Sequence, residues 1–162
     1  MEMHTTNSKT TMNDSQYSNL IWMAIVSFIV MFFLMYSMVD KPENVIINVN
    51  QFYMAGLMTA PMIIIEVIIM RSMYMNKKMN LLVISVSAIL LVACFFFIRI
   101  QTAVGDKQFL KSMIPHHAAA ILMVRGAKIS DPEVKKLADD IITAQQKEID
   151  FMKSKIRDLE NK

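Results

Sequence analysis

The chain has 162 residues, 54% of them hydrophobic and 19% charged, with a formal net charge of +3. Three Gly, four Pro and one Cys (Cys94) exclude collagen-like and Pro/Gly-rich disordered chains, a disulfide framework and a multi-cysteine zinc site. The basic residues form no stripe, which argues against nucleic acid as a partner, and a mean hydropathy of +0.38 is too high for an ordinary soluble domain. Charge is also unevenly placed. Gln101 to Lys162 carries 11 basic and 9 acidic residues, against 6 and 5 in the first hundred. The pattern is that of a membrane part followed by a soluble tail.

Residues 1–18 are polar and read as a disordered N-terminal tail. The membrane domain, 19–100, contains three apolar stretches, 19–39, 52–70 and 81–100. Each is close to the roughly 20 residues that cross a bilayer core as a helix. None alternates polar and apolar residues as a strand would. The first stretch lacks a basic region directly before it and an A-x-A-like site after it, so it reads as an uncleaved helix. Trp22, Tyr17 and Tyr36 suit the two interfaces.

The loop 71–80 carries Arg71, Lys77 and Lys78 and no acid, whereas 40–51 carries Asp40, Lys41 and Glu43. The positive-inside rule puts 71–80 and the N-terminus in the cytoplasm, with 40–51 and the C-terminal segment outside. Arg99, Lys107 and Lys111 pull weakly the other way.

After Gly105, Asp106 is placed to cap a helix whose apolar positions Phe109, Leu110, Met113, His116, His117, Ala120, Met123 and Val124 share a face. Pro115 interrupts this helix and Gly126 ends it. Asp131-Pro132-Glu133 reads as N-cap, N1 and N2 of a second helix. Its apolar stripe is Val134, Leu137, Ile141, Ala144, Phe151, Ile156 and Leu159, with Glu148 and Met152 inside it and Gln145 at its border. The short connection makes residues 106–160 an antiparallel hairpin. Two such helices bury too little surface to stand alone. A homodimer forming a four-helix arrangement is the first remedy; docking against the membrane-domain loops is the second.

The string Met113-Ile114-Pro115-His116-His117, with Met123, carries thioether and imidazole donors that suit Cu(I). Met113, His116 and His117 lie within one turn, whereas Met123 stands about 9 Å beyond His117 and needs a partner helix or a second ion. Met152 offers a sulfur from across the hairpin. Glu148 falls on a face that reads as buried, and an imidazole N–H is its natural partner. The plainer alternative is a His pair that only hydrogen-bonds a buried Glu, with Met as core filler.

These residues carry a resemblance. Phe109-Leu110, Met113-Ile114-Pro115-His116-His117, Ala120-Ile121 and Met123, followed by Leu137-Ala138, Ile141-Ile142, Ala144-Gln145, Glu148-Ile149 and Met152, resemble the two motifs of the domain of unknown function 305 family over about residues 106–155. The resemblance implies a ferritin-like helical bundle, an extracytoplasmic location and copper as cofactor. It points to Met113, His116, His117, Met123 and Met152 as ligands, with Gln145 and Glu148 supporting them. Two positions depart from the family pattern. Ala118 stands where a polar residue commonly follows the His pair, and Leu122 where an acid is common, which implies a drier site.

Within the second span Met54, Met58, Met62, Glu66 and Met70 recur every four residues, and Met23, Met31, Met35 and Met38 share an arc of the first. A thioether path for Cu(I) is conceivable; flexible apolar filler is the default reading. Glu66 is costly at membrane depth and calls for a partner, a cavity or a proton path. Cys94 reads as inert packing, and Met1-Glu2-Met3-His4 as a copper-binding string of little weight. Nothing forms a nucleophile–base set or a phosphate-cradling loop, so the sequence does not read as an enzyme.

The sequence-based expectation is therefore an all-α protein of the bacterial inner membrane, with three transmembrane helices and an extracytoplasmic hairpin that dimerises. It binds copper, Cu(I) by its donors, for resistance or delivery, with a copper transporter or chaperone as a partner. The alternatives are a scaffold subunit whose hairpin docks a partner without metal, and a metal carrier or sensor acting through Glu66.

Overall fold

The computed structural model describes residues 3–161. Five helices follow one another: α1 (Met3–Leu34), α2 (Val49–Ile69), α3 (Lys77–Arg99), α4 (Asp106–Gly126) and α5 (Pro132–Glu160). Two short 3-10 turns, Met35–Met38 and Pro42–Asn44, lie between α1 and α2, and the described residues include no strand. The stretches Ser15–Met38, Val49–Ile69 and Lys77–Arg99 are each long and apolar enough to cross a membrane. Their large exposed side chains, Trp22, Phe33, Ile69, Leu81 and Ile89 among them, are what lipid-facing surface requires.

One expectation about the N-terminus changes. Helix α1 begins at Met3, so the polar stretch read as a disordered tail continues the first span as helix. No Gly or Pro occurs before Pro42, and once the span has nucleated a helix each added turn is inexpensive. Met1 and Glu2, and the side chains of Met3 and His4, lie outside the described residues.

The compact units do not follow chain order. One comprises the chain up to Phe32 together with Tyr53–Ile100; the other joins Phe33–Phe52 to Gln101–Lys162. In the first unit, Ala55, Thr59 and Ala60 give α2 a buried face of small side chains. A methyl group at Gly56 would fall 2.8 Å from Cys94 Sγ, so α2 and α3 approach closely there because position 56 has no side chain. A second cluster, Tyr17, Leu20, Val67 and Tyr74, closes the end of the unit nearer the 70–76 turn.

In the second unit α4 and α5 run antiparallel. Lys107 meets Glu160 and His117 meets Glu148, so residues ascending one helix pair with residues descending the other. The N-cap of α4 is Gly105, one position earlier than expected, and Asp106 is the first helical residue. Asp131 caps α5 as expected, its carboxylate accepting from the backbone N–H groups of Glu133 and Val134. The core between the helices is Leu110, Ile114, Ala118 and Ile121 against Ile149, Met152 and Ile156.

The loop between the first two spans forms a third layer. Residues 39–50 run as a strap along α4, from its C-terminal to its N-terminal end. Asp40 Oδ2 lies 3.6 Å from Arg125, Val39 and Ile46 pack on the core, and the Val49 N–H donates to Gln108 Oε1 at 3.2 Å. Asn50 donates to Gln101 Oε1 at 3.0 Å. Within the strap the Tyr36 hydroxyl and Asn48 Nδ2 both donate to the Ile46 carbonyl, and Asn44 Nδ2 donates to Asp40. Of the two remedies for the small hairpin core, docking against a membrane-domain loop is built into the chain.

The face α5 presents to α4 is also rotated from the expected stripe. Ala138, Ile149, Met152 and Ile156 are buried, whereas Val134, Leu137, Ala144 and Phe151 are exposed. The apolar arc of α5 is broader than one neighbouring helix can cover, so one flank is left open.

Candidate metal site on the helical hairpin

His117 lies on the α4 face turned toward α5 and is 8% exposed. Its Nε2 is 2.6 Å from Glu148 Oε2. A carboxylate opposite Nε2 favours the tautomer with the hydrogen on that nitrogen, which in a neutral ring leaves the lone pair on Nδ1. That Nδ1 is buried and has no hydrogen-bond partner among the described residues. Glu148 itself is half-exposed rather than buried, because it stands at the rim of the α4–α5 seam.

Two thioethers belong to the same seam. Met152 is buried in the core, and Met113 packs partly buried against that cluster. Four residues before His117 on α4 and four after Glu148 on α5, Met113 and Met152 stand level in the antiparallel register. The structure therefore brings Met113, His117, Met152 and Glu148 to one stretch of the hairpin.

The remaining predicted ligands are separate from it. His116 is exposed, with its ring centroid 6.4 Å from that of His117. Met123 is exposed on the far side of α4 from the core. Gln145 is half-buried one turn from Glu148. Among the described residues no three His, Cys, Asp or Glu side chains gather as metal ligands. The donors this region offers are soft ones, one imidazole nitrogen and two thioether sulfurs, which suit Cu(I) rather than a hard cation.

Glu66 has a different setting. It lies one turn from the end of α2, and its partner is the Tyr74 hydroxyl in the following turn. Burial, and then the nearby Glu66 carboxylate, hold the Tyr74 hydroxyl above its ordinary range, so it remains a donor. Tyr17 continues the network, donating to Asn80 Oδ1 at 2.5 Å and to the Asn76 carbonyl, while Asn80 Nδ2 donates to the Tyr74 carbonyl. The sequence called for a partner for Glu66 without pointing to Tyr74. The aromatic belt rule, applied to the short 70–76 turn, was the available signal.

The comparisons with known proteins agree with this division of the chain. The family model described as Domain of unknown function (DUF305) matches residues 97–158. A curated relative, "Uncharacterized protein L153" of Acanthamoeba polyphaga mimivirus, is 40% identical over 120 residues, covering 72% of this chain and 77% of its own length. The chain belongs to the DUF305 family. The 120 aligned residues exceed those of the family match, so the likeness to the mimivirus protein extends beyond the hairpin into the part that carries the spans. No solved structure matches the chain.

The DUF305 motifs can now be placed. His117 of the His pair faces the seam, and Glu148 of the second motif is its partner. Ala118, where the family commonly has a polar residue, is fully buried in the core, and Leu122 is exposed. The first departure removes polarity from the interior; the second lies away from the His117 seam. Asp40 and Arg125, which join strap to hairpin, went unrecognised in the sequence because Asp40 precedes Arg125 by 85 residues.

Proposed function

We propose that this DUF305 protein is a membrane-anchored copper-binding protein serving resistance or delivery, in which His117, Met113 and Met152 hold Cu(I) and Glu148 orients His117. The observation that carries the proposal is the His117 ring. Glu148 occupies Nε2, leaving Nδ1 buried and without a hydrogen-bond partner in a seam that also holds two thioethers. A buried acceptor without a donor costs about 1–3 kcal/mol. A soft cation at that nitrogen would remove the cost. His116 and Met123, exposed on α4, are the more accessible donors and suit an ion arriving from a copper transporter or chaperone.

In this reading the hairpin and the 40–51 loop lie on the extracytoplasmic side and Arg71, Lys77 and Lys78 on the cytoplasmic side. The shared compact unit of loop and hairpin supports their being on one side of the bilayer. The bacterial inner membrane is the proposed site, and a relative from a mimivirus widens the choice of membrane.

The test is a Cu(I) titration of the full chain in nanodiscs against a chromophoric chelator, beside His117→Ala and Met113→Ala/Met152→Ala. Competition by wild type, with at least tenfold weaker competition by both variants, supports the reading. A folded wild type that does not compete overturns it. The scaffold alternative draws on the same His117–Glu148 pair as mere core polarity, and it predicts that second outcome.

A further inference from the structure

We infer that the outward side of the strap is a lipid-contact surface, with Val45 and Ile47 seated in the interfacial layer of the bilayer. The strap is continuous at both ends with helices long and apolar enough to cross a membrane. Asp40 follows the first of them, Ser15–Met38, by two residues, and Val49 opens the second. The ties to α4 stand at those same points, Asp40 to Arg125 and Val49 to Gln108. Asn50 reaches Gln101, two residues past the end of the third. Gln108 and Arg125 are about 25 Å apart along α4. Both ends of that helix are thus held where the chain leaves and re-enters the bilayer.

The side chains between these ties are sorted as such a position requires. Val45 has extended backbone, and from there the side chains alternate. Ile46 packs on the hairpin core, while Val45 and Ile47, 44% and 67% exposed, turn away from it. The neighbouring polar side chains turn inward. Asn44 and Asn48 are buried, Asn44 donating to Asp40 and Asn48 to the Ile46 carbonyl. That carbonyl also accepts from the Tyr36 hydroxyl, and the Val45 N–H donates to the Pro42 carbonyl. Backbone that meets lipid must be satisfied by the protein itself, and here groups that water would otherwise serve are bonded internally. Residues 45–50 carry no charge. The exposed charges of the strap, Lys41 and Glu43, lie toward its Asp40 end and are of opposite sign, as zwitterionic headgroups are. Two outward side chains fall far short of the roughly 1,000 Å² that a stable protein interface buries. Lipid needs no such area, because the flanking spans already hold the strap at the surface.

The inference stands apart from the copper proposal, and its test uses no metal. Nitroxide labels are placed singly in the full Cys94→Ala chain in phosphatidylcholine nanodiscs. Their exposure is measured to oxygen, which concentrates in lipid, and to a neutral nickel chelate, which stays in water. The sites are Val45→Cys and Ile47→Cys, with Ile29→Cys in the first span and Ser154→Cys on the exposed side of α5 as references. The oxygen-to-nickel ratio is expected to be highest at Ile29, and at Val45 and Ile47 to be at least threefold that at Ser154. A ratio at Val45 and Ile47 equal to that at Ser154 places them in water, and low exposure to both reagents places them against a protein partner; either result overturns the inference. Because an apolar label can itself seek lipid, the native side chain is tested too. Ile47→Asp is expected to lower the thermal midpoint of the full chain in nanodiscs, and Ser154→Asp to leave it unchanged. An Ile47→Asp chain as stable as wild type also overturns the inference.

Discussion

His117 and Asp40 show how two buried polar groups acquire opposite meanings from their neighbours. His117 is paired at one nitrogen and unpartnered at the other, so its environment is incomplete in a way a ligand would complete. Replacing Glu148 with Ala should free Nε2 and let the ring tautomer change, visible in the nitrogen chemical shifts of the imidazole. Because Glu148 is half-exposed, the stability lost should be no more than about 1 kcal/mol. Asp40 is different. Its side chain is 2% exposed, with Asn44 donating to one oxygen; the other, like His117 Nδ1 without a hydrogen bond, has the Arg125 guanidinium 3.6 Å away as its counter-charge. Arg125→Met should strand that carboxylate and destabilise the second unit by about 1–3 kcal/mol. Asp40→Asn in the same chain should recover most of the loss in urea unfolding. An Arg125→Met variant as stable as wild type would show that the pair does not hold the strap. That Glu148 would meet an imidazole was legible in the sequence from helical spacing; that it is His117 rather than His116, at a half-exposed rim, was not. Asp40 was not, since a loop's partner across 85 residues follows from no local period.

At the scale of single elements, caps and breaks were the legible features. Asp131-Pro132-Glu133 starts α5 and Gly126 ends α4 where the residue chemistry predicts. The burial pattern of α5 was less so, because its apolar arc spans two flanks and periodicity alone does not say which one a neighbour takes. The far end of the hairpin is clamped by Lys107 and Lys111 on Glu160, whose carboxyl is held below its ordinary range chiefly by the hydrogen bond from Lys107. A depressed carboxyl stabilises the fold above its unfolded value, about 4.3, and loses that contribution as pH falls through the folded value. The difference in thermal midpoint between wild type and Glu160→Gln should therefore be present at pH 7 and vanish at low pH. A difference that persists in acid would contradict the clamp. In the membrane part, Gly56→Ala puts a methyl group against Cys94 Sγ and should cost about 1–3 kcal/mol. Cys94→Ala in the same chain should restore thermal stability if that contact is the cause.

For the molecule as a whole, hydropathy was sufficient to find three apolar stretches, each of which forms a helix long enough to cross a membrane. What it missed is that a loop between spans belongs to the hairpin's compact unit. A strap tied at both ends of α4 would give metal binding in the seam, as proposed, a physical route to the segment joining the first two spans. Hydrogen exchange in 39–50 should slow when Cu(I) binds the full chain, and unchanged exchange there would limit the ion's effect to the helices. Glu66, engaged with Tyr74 at the end of α2, is better placed to fasten the 70–76 turn than to carry an ion through the bilayer. Glu66→Gln should leave copper affinity unchanged while lowering thermal stability.

Copper held on this hairpin as proposed would sit among sulfur and imidazole nitrogen together. X-ray absorption at the copper edge of the Cu(I)-loaded full chain addresses it directly. A mixed shell of sulfur and imidazole nitrogen is expected, with the sulfur contribution lost in Met113→Ala/Met152→Ala and the imidazole contribution diminished in His117→Ala. A shell containing only oxygen and nitrogen, unchanged in those variants, would contradict it.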